Sequence, residues 1–254
     1  MKKIISFILI VLLILIGIIA VKTIIAPNLQ TKIDATPLPL VSDDALKHFQ
    51  QAITYQTVSY GDAAKWDSTP FVNFRKFLET TYPLVHQKLE REIVSNYAYL
   101  YKWQGKDAIL KPSILMAHQD VVPIEESTRN MWTVDPFAGT IKDGFIWGRG
   151  TTDDKINLIS ILESAEKLLK EDYQPERTVY FVFGHDEEIG GKEGAVKIAK
   201  LFQQRNIKAD MIIDEGGILT KEKVPGLSKP VALIGTSEKG YMSLELSVNK
   251  KGGH

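Results

Sequence analysis

The chain opens with Lys2 and Lys3 and then an uncharged, apolar run from Ile4 to Val21. As a helix, this run would reach about 27 Å, close to the thickness of a bilayer core. No polar face interrupts it, so a helix half-buried in a soluble core fits it poorly. Its exit, "VKTIIAPN", has no clear small-residue cleavage pattern. That favours an uncleaved signal anchor over residues 1–26, against cleavage and secretion. The two lysines hold the N-terminus in the cytoplasm and place the remainder outside, as a single-pass membrane protein.

Beyond the run the pattern changes. Residues 27–41, "PNLQTKIDATPLPLV", are polar and proline-bearing and read as a linker. Ser42 stands where a cap is needed ahead of "DDALKHFQQAI", with two acids in the first turn. A second helix begins at Pro70 and is stopped by Pro83. "NYAYLYKWQG" alternates as a strand does, and "SILMAH" is a short apolar strand. Near Leu158 apolar positions recur at helical spacing, with Ile161, Leu162, Ala165, Leu168 and Leu169 on one stripe. The strand "TVYFVFG", the helix "EGAVKIAKLFQQ" and the strand "ADMIID" follow. This alternation predicts an α/β fold, a mixed, largely parallel sheet flanked by helices.

Composition narrows the chemistry. With 44% hydrophobic and 24% charged residues, the 254-residue chain reads as an ordinary globular protein. Its 31 basic and 31 acidic residues balance, so no global field draws it to nucleic acid. It has no cysteine. Disulfides, thiolate metal sites, a cysteine nucleophile and a lipid-anchoring cysteine are therefore excluded.

Four acidic clusters share one position in the pattern. His118 and Asp120 follow "SILMA"; Asp153 and Asp154 follow "GFIWGRGTT"; Asp186, Glu187 and Glu188 follow "VYFVFG"; Asp214 and Glu215 follow "DMII". Each has an ordinary reading alone, as a surface hydrogen bond, a helix start or a turn. Together they place acid at every strand exit of this region, where open α/β sheets form their ligand crevice. Carboxylates with imidazole and no thiol suit a hydrolytic metal centre, with zinc first and cobalt or manganese as alternatives.

In this order, "MAHQDVVP", "WGRGTTDDK", "GHDEEIGG" and "IIDEGG" resemble the co-catalytic di-zinc aminoacylase and carboxypeptidase family. "GHDEE", "DEGG" and the tryptophan of "MWTVDPFAG" are similar to its carboxypeptidase S branch, which includes N-fatty-acyl-amino-acid hydrolases. The resemblance runs from about Ser42 to the last residue and implies a zinc-exopeptidase type of fold. It implies cleavage of an amide bond in a small peptide or an N-acyl amino acid. It also implies roles. His118 would bind one zinc, with Asp120 orienting its imidazole. Asp153 would bridge both ions, followed by a cis peptide. Glu188 would bind the first zinc and Glu187 would be the general base. Asp214 would complete the second zinc, with Glu215 as the alternative.

The resemblance further implies an inserted α+β lid and dimerisation domain. Residues 42–240 would be the N-terminal part of the catalytic domain, and residues 241–254 the start of the lid. His254 would match a Gly-His motif that aids substrate binding, in some relatives on the partner subunit of a homodimer. His48, His86 and His185 match no ligand motif. The expectation is an N-terminal fragment or truncated product, inactive in isolation. An anchored, non-catalytic binding domain is the rival reading, against which the intact Asp120 and Glu187 argue.

Overall fold

The computed structural model of the chain describes residues 2–27, 40–237, 240, 242, 244–250 and 252. Residues 28–39 of the expected linker lie outside these. So do Tyr241, Ser243, Lys251, Gly253 and His254 of the expected lid segment. The first forty residues form a unit of their own, whose described part is helix α1 (Lys2–Ile25). Among the described residues it is the one helix long and apolar enough to cross a membrane.

The second unit runs from Val41. Its elements are α2 (Asp43–Thr54), α3 (Thr69–Thr81), α4 (Pro83–Lys88), β1 (Glu90–Val94), β2 (Ala98–Trp103) and β3 (Ser113–His118). Then come the hairpin β4 (Thr140–Lys142) and β5 (Phe145–Trp147), α5 (Lys155–Lys170), β6 (Val179–Gly184), α6 (Ala195–Gln204) and β7 (Met211–Ile213). A short pair, β8 (Leu219–Thr220) and β9 (Val231–Ala232), closes the list of elements.

Five strands form one sheet in the order β1-β2-β6-β3-β7. The pairs β1–β2 and β2–β6 are antiparallel, whereas β3 runs parallel to β6 and to β7. The sheet is therefore mixed, and parallel across the three strands that carry acids at their ends. Period-2 alternation assigns its faces. Phe181 and Phe183 of β6 join Tyr99, Tyr101 and Trp103 of β2 in a core closed by Phe49, Ile53, Phe74, Phe77, Leu158 and Leu162. Tyr180 and Val182 turn the other way, with Leu100 and Ile114, against Ile198 of α6. Each such large apolar side chain contributes about 1.5–3 kcal/mol on burial.

The local signals held at α2, where the Ser42 hydroxyl accepts from the Ala45 amide at 3.1 Å. They were incomplete at Pro83. That residue follows the end of α3 and also begins α4, because a proline at a first helical position forfeits only a donor with no partner. The next two amides, of Leu84 and Val85, donate to the buried carboxylate of Glu166 on α5 at 3.2 and 3.0 Å. An acid at a helix start also complements the helix dipole. Short α4 thus depends on a residue remote in sequence, which no local pattern reveals.

His86 of α4 gives this region a pH dependence. Its Nδ1–H donates to the Tyr82 carbonyl at 2.8 Å, and Nε2 accepts from the Tyr101 hydroxyl at 2.9 Å. Burial lowers its pKa, opposed by the Tyr82 carbonyl and aided by Arg91, with Glu79 and Glu166 pulling upward. The unfolded chain therefore takes up this proton at higher pH than the folded one. The contribution is intact above about pH 6.5 and declines as the pH falls below it. Denaturation midpoints at pH 7.5 and 5.5 are expected to differ less for His86→Gln than for the native chain. An unchanged difference would refute the assignment.

Candidate metal centre

Parallel strands share an orientation, so the ends of β3, β6 and β7 lie along one edge of the sheet. His118 is the last residue of β3 and pairs in register with Gly184, the last of β6. Asp186, Glu187 and Glu188 follow after His185, and Asp214 and Glu215 follow β7. Asp153 and Asp154 precede α5, and the peptide bond between them is cis. Three strand ends and one helix start thus deliver acids to one place.

The buried imidazole of His118 is the hub. Its Nε2 lies 2.8 Å from Asp153 Oδ1, 3.5 Å from Glu215 Oε1 and 3.9 Å from Glu187 Oε2. Its Nδ1 meets the Asp120 carbonyl oxygen at 2.9 Å and the Asp120 carboxylate at 3.4 Å. Ligand atoms of His118, Asp153 and Glu188 all lie within 4.8 Å of one another, as do those of His118, Glu187 and Glu215. Asp214 belongs to neither group; its carboxylate accepts from the Glu215 amide at 2.9 Å. His254 lies outside the described residues.

Asp120 organises the acids that follow β6. It is fully buried, and its two oxygens accept from the amides of Glu187 and Glu188 at 3.2 and 3.1 Å. One residue therefore fixes the turn through its carboxylate and the imidazole ring chiefly through its carbonyl. Burial pushes its pKa upward, but the hydrogen bond and charge of His118 outweigh it and leave it below its ordinary value. His118 responds in the opposite sense. Burial works against its charged form, yet Asp120, Glu215 and Asp154 raise it to about 10.

The acids themselves are held upward. Burial first, then neighbouring carboxylates, raise Glu187, bring Glu188 to about 6 and Glu215 to about 7, with His118 opposing in each. So many carboxylates facing one imidazole form a site that stabilises added positive charge. The donors are imidazole and carboxylate with no thiolate, a set that fits zinc or a harder divalent cation.

Three neighbours have roles that the sequence pattern did not disclose. Asp154 is buried and accepts from the His118 amide at 3.3 Å, which ties the two ligand-bearing loops together. Lys155 is also buried, donating from Nζ to the Ala52 carbonyl at 3.0 Å and to the Tyr55 carbonyl, so it binds the end of α2 to the site. Asp186 accepts from the amides of Glu193 and Gly194 at 2.7 and 2.8 Å and so secures the approach to α6. A Cβ at Gly194 would lie 2.6 Å from that carboxylate, so any larger residue there would displace it. The signal for Asp154 and Asp186 was present as a second acid in each motif, but their partners are distant in sequence.

A family model described as Peptidase family M20/M25/M40 matches residues 114–249, more than half of the chain. A "Probable carboxypeptidase S-like 2" of Dictyostelium discoideum is 46% identical over 208 residues, which are 80% of this chain and 40% of that protein. An "N-fatty-acyl-amino acid synthase/hydrolase PM20D1" of Xenopus tropicalis is 37% identical over 252 residues, 96% of this chain and 48% of its own length. The chain thus spans under half the length of these curated relatives. Among solved structures, an M20 family metallo-carboxypeptidase from Sulfolobus solfataricus superposes with a TM-score of 0.56 at 22% identity. That match covers 70% of this chain and 38% of the other. Human carnosine dipeptidase 1 gives 0.54 at 17%, over 70% and 40%. These likenesses establish the fold, an α/β sheet of the M20 metallo-carboxypeptidase type.

Proposed function

This chain belongs to the M20/M25/M40 family of peptidases, and from that premise we propose that it carries a two-zinc centre for hydrolysing amide bonds. One observation carries the reading: ligand atoms of His118, Asp153 and Glu188, from separate chain segments, meet within 4.8 Å. His118, Glu188, Asp153 and Asp214 would hold the two ions, with Glu215 as the alternative to Asp214. Bound zinc would supply Lewis acidity toward the scissile carbonyl and acidify a water molecule, and cobalt or manganese could serve similarly.

Glu187 is the proton carrier. Its side chain is about half exposed, at 51%, while its amide is held by Asp120. A fixed backbone with a solvent-facing carboxylate lets one oxygen accept a proton from water and release it to the leaving amine nitrogen. Adjacent Glu188 keeps different company: its carboxylate meets His118 and Asp153, whereas that of Glu187 meets His118 and Glu215. The substrates are small peptides or N-acyl amino acids, classes suggested by the names of the relatives.

Zinc titration of the metal-stripped chain tests the centre. Two equivalents are expected for the native protein, one for Asp214→Asn and two for Glu215→Gln. The reverse order moves the ligand to Glu215, and a native chain that binds no zinc overturns the reading.

Helix α1 is the single-pass anchor of this reading, with the metal centre on the far side of the membrane. The chain should resist carbonate extraction, and external protease should reach the second unit in sealed vesicles. A mature protein starting near residue 27 would replace the anchor with a secreted form.

A further inference from the structure

His185 directly precedes the acids that follow β6 but takes no part in the metal centre. Its side chain is buried, and among the described residues its Nδ1 has no hydrogen-bond partner. A buried polar atom left so is uncommon and costly, and it points to a ligand. The same ring lines a cavity of about 470 Å³ together with Tyr60, Trp66, Tyr97, Asp186 and Glu193. That volume is ordinary for a small-molecule site.

The walls of this cavity are aromatic and its charge is negative. Ring centroids lie 5.5 Å apart for Tyr97 and His185, 5.7 Å for Trp66 and Tyr97, and 6.2 Å for Trp66 and His185. The rings are steeply inclined to one another, so they enclose a corner instead of closing into a flat stack. Buried Phe71 backs the Trp66 indole at 4.6 Å. None of the lining residues is lysine or arginine, and burial holds His185 below its ordinary pKa, against the pull of Asp186, Asp120 and Glu193. Lys197 meets Glu193 at 3.7 Å from outside the lining, but both side chains are exposed and the pair is screened by water. Ring faces and carboxylates together attract positive charge.

The available acceptors limit the kind of cation. Both Asp186 oxygens already accept from the amides of Glu193 and Gly194, and the Glu193 carboxylate accepts from the Ser95 hydroxyl at 3.3 Å. A primary ammonium brings three donors that need acceptors. A quaternary ammonium brings none and is satisfied by ring faces and the field of the acids. His185 Nδ1 then serves an oxygen on the same ligand. The walls are held in advance: the Ser59 hydroxyl donates to the His185 carbonyl at 3.0 Å, and the Gln119 side chain donates to the Tyr97 carbonyl at 2.7 Å.

We propose that this cavity binds a quaternary-ammonium alcohol, free or as the phosphodiester of a lipid headgroup. The site goes beyond the hydrolytic reading and does not depend on it.

Calorimetry on the full chain in a non-ionic detergent tests it, with zinc in the buffer to compete for the acids around His118. Choline is expected to bind at least about tenfold more tightly than neohexyl alcohol, its uncharged carbon isostere. It should also bind several-fold more tightly than tetramethylammonium, which lacks the oxygen. Glycerophosphocholine identifies the source: tighter binding than choline assigns the site to a headgroup, and weaker binding assigns it to the free alcohol. Trp66→Leu should abolish the preference for choline over its isostere. Should that variant fail to fold, Glu193→Gln, at an exposed side chain, should weaken choline several-fold and leave the isostere unchanged. No heat from choline or glycerophosphocholine up to about 10 mM overturns the site. Equal affinity of choline and its isostere, or of choline and tetramethylammonium, does the same, as does an unchanged preference in both variants.

Discussion

Glu187→Gln is expected to lower kcat by about a thousandfold in any preparation of the protein that hydrolyses an N-acyl amino acid or a peptide. The substitution keeps the shape of the side chain and removes its basicity. KM and zinc content should change little, because the Glu187 amide, not its carboxylate, makes the contact with Asp120. Glu188→Gln should behave differently, losing zinc, because its carboxylate meets Asp153, the proposed shared ligand, as well as His118, whereas that of Glu187 meets His118 and Glu215. Steady-state kinetics with metal analysis on both variants separates the roles. Residual activity within tenfold of native for Glu187→Gln would assign the proton to another group.

The second large effect is expected at Asp120, a residue that touches neither proposed substrate nor metal. Asp120→Asn replaces one acceptor oxygen with a donor, so the Glu187 or the Glu188 amide must face an N–H group. A buried amide left without an acceptor costs about 1–3 kcal/mol. The partner of His118 Nδ1 is weakened as well. Lys155, whose pKa burial pushes down to about 7, also loses the negative charge that favours its protonated form. Stability should fall by about 3 kcal/mol in denaturant titration, and zinc affinity by about 10- to 100-fold. Native stability in this variant would mean that the turn is held by other contacts.

The folding energetics and the chemistry meet at Asp120 because one buried carboxylate serves both. It stabilises the turn that presents Glu187 and Glu188, and it lies 3.4 Å from His118 Nδ1, beside the Asp120 carbonyl that meets the same nitrogen at 2.9 Å. Neither effect is available to an acid in water, where its hydrogen bonds to solvent would compete. Burial between β3 and β6 is what makes the contact worth having.

Much of the site is legible in the sequence. An apolar strand that ends in acids is a local pattern, and four such endings in order are specific. The strands β2, β3, β6 and β7, the helices α2, α3, α5 and α6, and the acidic clusters all follow from periodicity and capping over a few residues. The strand β1 did not, since "EREIV" is mostly charged and sits at the edge of the sheet, where alternation leaves only half-buried positions. Nor did α4, whose amides rely on Glu166.

Residue types and their spacing along the chain were enough to select a mixed α/β fold, an apolar N-terminal helix and a set of candidate imidazole and carboxylate ligands. They could not rank the acids within a cluster. Asp153 and Asp154 are neighbours in sequence, yet one faces the His118 imidazole and the other holds its backbone amide. Asp186 serves the start of α6, while Glu187 and Glu188 face the crevice. Those distinctions arise from contacts between segments that only the order β6-β3-β7 brings side by side. Charge and hydrophobicity act locally and are written in neighbouring letters; orientation and burial depend on partners dozens of residues away.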